Sequence, residues 1–256
     1  MHIAKLLKNI INFFLVFFLN IKIVKFFSHR NFIIVLKLLS KKRYLKISFS
    51  TYFKKLLLNE YYGYKFYFKR KEITLKKNEF FFKKNLFFSY ICIKSFVGTK
   101  TSYMKSFKKN YNQIIKIVNY YDKFWPKNKN VSAHGDLTFD NILFYKNEIT
   151  IIDWENFKKR EVWGFDIIYF LLTCLIIPNL NKKKLNNIEK QYFLLAWKKI
   201  KKKITNKQLK SNPIIFFEKT FHKNQHWRNL FIKNPNKFFI NKINRDLRNE
   251  IDAIFR

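Results

Sequence analysis

Glycine is almost missing from this 256-residue chain, occurring only at Gly63, Gly98, Gly135 and Gly164. No two of them lie closer than 29 positions, so the G-x-G-x-x-G fingerprint and the glycine-rich phosphate loop are both excluded. Cysteine occurs twice, at Cys92 and Cys174, each in apolar surroundings. The pair offers neither a disulfide framework nor a C-x-x-C metal half-site, and a reducing cytoplasm is the expected setting. His222 and His226 have the i, i+4 spacing of a helical metal pair, but no cysteine or suitably placed carboxylate accompanies them. Acids are also scarce, 16 against 53 lysines and arginines, for a net charge of +37.

What is abundant is apolar and aromatic. With 48% apolar and 20% aromatic residues the chain can bury a sizeable core, and general disorder is excluded. The length suits one large domain or two small lobes sharing a cleft. The bases are 45 lysines and only 8 arginines. A dedicated nucleic-acid surface uses more arginine, whose planar fork reads phosphates and bases. The excess is therefore read as a solvated lysine coat of the kind A+T-rich coding drift produces, with no specific nucleic-acid partner. Ile10 to Val24 is strongly apolar but is interrupted by Asn12, Asn20 and Lys22. It falls short of the roughly 20 apolar residues of a membrane span, and no small-residue cleavage site follows it. The expectation is a buried or interfacial segment.

Strand patterns cover Asn31 to Leu39 and Tyr44 to Phe49, with a polar turn between them. A helix is expected over Thr51 to Tyr64, then strands at Glu72 to Lys76 and Leu86 to Lys94. Gly98 marks a break. Beyond it, Met104, Phe107, Tyr111, Ile114, Ile115, Val118 and Tyr121 recur at helical spacing. Phe165 to Ile177 is apolar nearly all round and reads as a buried helix stopped by Pro178, and Lys190 to Lys203 as a further helix with a lysine-covered outer face.

The stretch His134 to Asp166 departs from this background. It holds Asp136, Asp140, Glu148, Asp153, Glu155, Glu161 and Asp166, seven of the 16 acids, against four bases. Such a cluster is costly by self-repulsion unless a cation sits in it. Ile142 to Tyr145 and Ile149 to Ile152 read as a hairpin centred on Asn147. That register sets Asn141 opposite Asp153, an amide oxygen and a carboxylate on one face. Such a pair suits Mg²⁺, which takes one or two protein oxygens and completes its shell with water and phosphate. Asp136 lies on the loop entering the hairpin.

His134-Gly135-Asp136 followed by Asn141 resembles the H-x-D-x-x-x-x-N catalytic loop of the kinase-like phosphotransferases. Ile152-Asp153-Trp154-Glu155 is similar to the metal-binding motif of the aminoglycoside phosphotransferase and choline kinase group, and Gly164-Phe165-Asp166 to a shortened form of that group's next element. The close match covers about 33 residues. The resemblance implies a two-lobed, protein-kinase-like α+β fold. Residues 1–97 would be a small sheet-containing nucleotide lobe, and 98–256 a helical catalytic and acceptor lobe. It implies ATP and Mg²⁺ as cofactors. Asp136 would be the catalytic residue that orients the acceptor hydroxyl, and His134 would hold the catalytic loop by hydrogen bonds. Asn141 and Asp153 would be metal ligands, and Asp166 a buttress. The phosphate-binding lysine and its helix glutamate fall at Lys46 and Glu60, with Lys37 as the rival lysine.

The activity so implied is phosphoryl transfer from ATP to a hydroxyl of a small molecule or saccharide. Residues 170–256 hold five acids against 20 lysines and arginines, which argues against a polycationic aminoglycoside and for a neutral or anionic acceptor such as an envelope glycan sugar. The expected location is cytoplasmic, with peripheral contact at an anionic membrane. The scarcity of glycine supports one alternative, a catalytically inactive kinase-like interaction protein at such a surface.

Overall fold

Apolar alternation in the first third of the chain builds a sheet. The computed structural model describes residues 21–25, 33–39, 42–49, 51–74, 76, 79–85, 88–101, 106–128, 130–180, 183–223 and 243–255. The protein is α+β and divides into two units, Met1–Val97 with Asp153–Phe157, and Gly98–Ile152 with Lys158–Arg256. The sequence reading had assigned residues 153–157 to the second part of the chain.

In the first unit, β1 (Ile21–Lys25), β2 (Ile33–Leu38), β3 (Arg43–Ser48), β4 (Phe81–Lys84) and β5 (Ser89–Lys94) form one antiparallel sheet in the order β1-β2-β3-β5-β4. The end of the apolar N-terminal run supplies β1, while residues 10–20 of that run lie outside the described residues. In β5, Ile91, Cys92 and Ile93 are buried in succession, as expected of a strand covered on both faces. Helix α1 (Thr51–Arg70) packs on β3, β4 and β5. Its buried residues Leu56, Leu57, Glu60, Gly63, Tyr64, Tyr67 and Phe68 follow the three-and-four spacing of one helical face. Lys46 stands opposite Val35 on one side and Ile91 on the other, so these three project from one sheet face.

The strand expected over Glu72–Lys76 is not formed, and α1 runs six residues past its expected end at Tyr64. Glu72 adopts a left-handed backbone, φ 55°. Its N–H donates to the Lys69 carbonyl, and that of Ile73 to the Phe68 carbonyl at 2.9 Å. The backbone here closes the helix end and does not enter a ladder, as in a left-handed cap.

In the second unit, Ser106 caps α2 (Phe107–Phe124) by accepting from the Lys109 N–H. Met104 lies outside the described residues. Strand β6 (Val131–Ala133) pairs with the later β9 (Lys158–Glu161). Strands β7 (Ile142–Tyr145) and β8 (Glu148–Ile151) form the hairpin. All twelve residues of α3 (Phe165–Ile176) are buried, and a 3₁₀ turn containing Pro178 ends it. Helix α4 (Asn187–Lys201) begins three residues before its expected start, because the Asn186 side chain caps it by accepting from the Glu189 N–H at 2.8 Å. Helices α5 (Lys207–Ser211), α6 (Pro213–Lys223) and α7 (Arg245–Phe255) complete the unit, with Arg248 of α7 forking onto both carboxylate oxygens of Glu218 in α6. The His222 side chain and all of His226 lie outside the described residues. Among the described residues no helix is long and apolar enough to cross a membrane.

Gly63 sits in the interior of α1, where alanine is ordinarily favoured by about 1 kcal/mol. Here a β-carbon would lie 2.5 Å from the Trp154 β-carbon and 3.0 Å from its ring. Overpacking of this kind costs about 1–3 kcal/mol. Gly63→Ala is expected to lower stability by up to about 2 kcal/mol after the helix gain is counted. A urea titration measures it, and a raised midpoint would show that Trp154 yields freely.

Candidate functional site

Lys46 is the centre of a charge cluster in the first unit. Its ammonium donates to Glu60 Oε1 at 2.7 Å and to Asp153 Oδ1 at 2.8 Å. The sheet aims Lys46 at α1, and the helix turns Glu60 back toward the sheet. Glu60 is only 1% exposed, whereas the Asp153 side chain is 40% exposed. Burial works to lower the Lys46 pKa, but Asp153 and then Glu60 outweigh it and hold it well above the ordinary lysine range. Burial pushes the Glu60 carboxyl up to about 8, against the pull of Lys46. Lys37 does not join this cluster; its ammonium lies 5.8 Å from the centre of the Tyr44 ring.

Asp153 is held on several sides. Its backbone is left-handed, φ 63° and ψ 59°, a strained conformation that aspartate tolerates better than most residues. Its N–H donates to the Tyr64 hydroxyl at 3.2 Å. Trp154 follows it into full burial, against the Gly63 backbone and the rings of Tyr64, Phe66 and Tyr67. Although Asp153 precedes the 3₁₀ turn Trp154–Asn156, its side chain makes no capping bond there. The carboxylate is turned to Lys46 instead. Sequence reasoning did not single out Tyr64, although it sits one helical turn after Glu60, on the same face of α1.

A second cluster lies in the second unit. His134 is fully buried. Its Nδ1 accepts from the Asp136 N–H at 3.3 Å, while Nε2 lies 2.9 Å from the Ile152 carbonyl. An acceptor at Nδ1 and a carbonyl at Nε2 require the neutral tautomer with the proton on Nε2. His134 thus ties the loop to the chain at Ile152. Asp166, at the start of α3, accepts from the His134 N–H at 2.7 Å and the Gly135 N–H at 2.9 Å. Burial pushes its carboxyl up to about 7, even against these two donors. Asn141 Nδ2 donates to the Asp136 carbonyl at 2.8 Å and lies 3.4 Å from Asp136 Oδ2. Both of these bonds use the amide nitrogen, so Oδ1 keeps its lone pairs for another partner.

The hairpin register differs from the expected one. Ile142 faces Ile151 and Tyr145 faces Glu148, so the turn is the two residues Lys146 and Asn147, with Lys146 at φ 53°. The centre falls half a residue before Asn147. Asn141 then faces Ile152, whose N–H donates to the Asn141 carbonyl at 2.9 Å, and not Asp153. A slip of one position reverses which side chains share a face, so cross-strand pairing does not join Asn141 to Asp153.

The remaining acids of the island have separate fates. Asp140 and Glu148 are exposed, Glu155 is half-buried, and Glu161 bonds Lys158 at 2.9 Å. Among the described residues no group of three or more histidine, cysteine, aspartate or glutamate side chains is arranged to hold a metal. Magnesium held largely through phosphate and water does not need such a group. In the first unit Asp153 keeps a 40% exposed side chain, and in the second Asn141 uses its amide nitrogen in the bonds to Asp136. No protein-family model and no curated protein sequence matches this chain.

Two outcomes test the clusters. Lys46→Ala removes the ammonium that holds the Glu60 pKa down, so the buried carboxyl takes up a proton and a hydrogen bond to a charged group is lost, at a cost of about 1.5–3 kcal/mol. Replacing Glu60 as well, in Lys46→Ala/Glu60→Ala, is expected to recover part of the loss. Additive effects in a denaturation cycle would show that the two do not interact. For Asp166, the native carboxyl keeps its proton up to about pH 7, whereas the unfolded chain releases it near 4. Between these values the native state binds more protons, so stability falls as pH rises from about 4 through 7. Asp166→Asn is expected to be destabilised at low pH by about 1–3 kcal/mol, since its NH₂ group meets a backbone N–H, and to lose this share of the pH slope. An unchanged slope would show that Asp166 is ionised throughout.

Proposed function

We propose that the protein is a Mg²⁺- and ATP-dependent phosphotransferase of the kinase-like type, acting on a hydroxyl of a small molecule or saccharide. The observation that carries this reading is Lys46, gripped by Glu60 at 2.7 Å and by Asp153 at 2.8 Å. An aspartate 107 positions downstream, in the Ile152-Asp153-Trp154-Glu155 motif, meets the strand lysine of the pair that the resemblance implied. A lysine coat produced by drift gives no reason for one of 45 lysines to be held by two carboxylates.

In this reading, Lys46 binds the α/β-phosphates and Glu60 fixes its direction. Asp153 supplies the magnesium carboxylate and Asn141 an amide oxygen. Magnesium, when bound, neutralises charge on the phosphate oxygens. Asp136, half-buried at the head of the loop, orients the acceptor hydroxyl and takes its proton. His134 stays neutral and does no acid–base work; with Asp166 it fixes the loop. Positioning and charge neutralisation supply most of the rate in such transfers.

The acceptor is neutral or anionic, and an envelope glycan sugar fits better than an aminoglycoside. The five acids of α4, α6 and α7 support this. Glu189 is 2% exposed, Glu218 bonds Arg248, Glu250 pairs with Lys190 at 2.7 Å, and Asp246 and Asp252 lie on α7. These acids are tied up in helix packing or gathered on the last helix.

The test is Asp136→Asn. It is expected to lose at least about 10²-fold in turnover while Mg·ATP binding stays within about threefold, because Asp136 faces the acceptor. Phosphate release is measured over a panel of phosphorylated and acidic sugars, choline and kanamycin-type aminoglycosides, and nucleotide binding by calorimetry. Turnover is expected with the sugars. No turnover on any acceptor, together with no Mg·ATP binding, would favour the inactive interaction protein, and efficient aminoglycoside phosphorylation would overturn the acceptor assignment.

A further inference from the structure

Helix α4 has two sharply different sides. Glu189, Phe193, Ala196, Trp197 and Ile200 are buried, and Phe193 and Trp197 pack against Phe107 of α2 and Phe255 of α7. At 100° per residue these define the inner side. The opposite side carries Ile188, Gln191, Leu195, Lys198, Lys199 and Lys202, all exposed. Ile188 and Leu195 are each 49% exposed, and their spacing of seven puts them on one line along the helix. Among the described residues this outer side holds no acid: Glu189, the helix's only carboxylate, points inward, and the Glu250 carboxylate is engaged by Lys190 at 2.7 Å. Lys183 and Lys184, also exposed, precede the helix.

We propose that the outer side of α4 is a docking surface for an anionic lipid bilayer. Two aliphatic side chains left in water along one line, followed by a lysine group with no compensating acid, form an amphipathic interfacial pattern. The lysines meet the negative headgroups, and Ile188 and Leu195 enter the boundary beneath them. A nucleic acid fits this side less well. No arginine lies on it to fork onto phosphate, and its central line is aliphatic with no exposed aromatic ring for base stacking. The nearby Tyr192 is instead engaged edge-on with Tyr111 of α2, ring centres 4.8 Å apart. This assignment does not depend on the phosphotransferase reading.

A lysine-coated protein can adhere to anionic vesicles through any of its faces, so the test holds total charge constant. Full-length protein is sedimented with phosphatidylcholine vesicles containing about one third phosphatidylserine, at about 0.1 M salt. Lys198→Glu/Lys199→Glu/Lys202→Glu is compared with Lys108→Glu/Lys109→Glu/Lys116→Glu, a charge-matched set on the exposed side of α2. The α4 set is expected to lower vesicle partitioning by roughly tenfold or more, and the α2 set by less than about threefold. Ile188→Ser/Leu195→Ser, with all lysines retained, is expected to lower it by about threefold or more. Equal losses from the two lysine sets would overturn the proposal in favour of a diffuse coat. So would an unchanged serine variant, or retention on duplex DNA with no sedimentation on vesicles.

Discussion

A carboxylate buried to 1% exposure at Glu60 must be compensated, and much of the first unit is arranged around that need. Desolvation opposes the charged form so strongly that the carboxyl is pushed up to about 8 even with an ammonium beside it. Lys46 can reach Glu60 only because β3 lies between β2 and β5 with its helix-facing side turned to α1. Asp153 adds a second negative charge to the same ammonium, so the cluster is two acids on one base. A hydrophobic substitute of the same volume would serve stability as well or better, since buried ion pairs rarely earn their desolvation cost.

How far the sequence disclosed this differs by scale. The local patterns were legible: the alternation through β3, the three-and-four spacing of α2, and the uninterrupted apolar run of α3 each translate directly into an element. The ion pair of Lys46 and Glu60 came from the resemblance, which implied a strand lysine paired with a helix glutamate, and a separation of 14 suits that pair. Three features were hidden, each for an identifiable reason. The Glu72 cap depends on a non-glycine residue entering the left-handed region, which composition does not signal. The hairpin register turns on a single residue, and Lys146-Asn147 is not the Asn-Gly pair that announces a two-residue turn. Helix α5 is only five residues long, and the apolar faces of α6 and α7 become evident only once Phe217, Leu247 and Ile251 are seen buried.

The two clusters also show different ways of fixing a loop. Around His134 the restraint is a network of hydrogen bonds, with backbone donors, one imidazole and one carboxylate each satisfied by defined partners. Such a network is directional and loses much when a single partner is removed. Around Asp153 the restraint is chiefly shape. Trp154 fills a notch that exists only because position 63 has no side chain, and the strained backbone before it is held by that fit.

The first unit is not contiguous in the chain. Its sheet and α1 are complete by Val97, but Asp153–Phe157 belongs to it and brings Trp154, one of the largest fully buried side chains in the protein. During synthesis from the N-terminus, α1 therefore waits with its Gly63 notch and the rings around it open to solvent while more than fifty further residues are made. Over that interval Glu60 has Lys46 but not the segment that seals the helix. The nascent first unit is thus a natural client for chaperones, and a fragment ending at residue 97 would lack a piece of its own core.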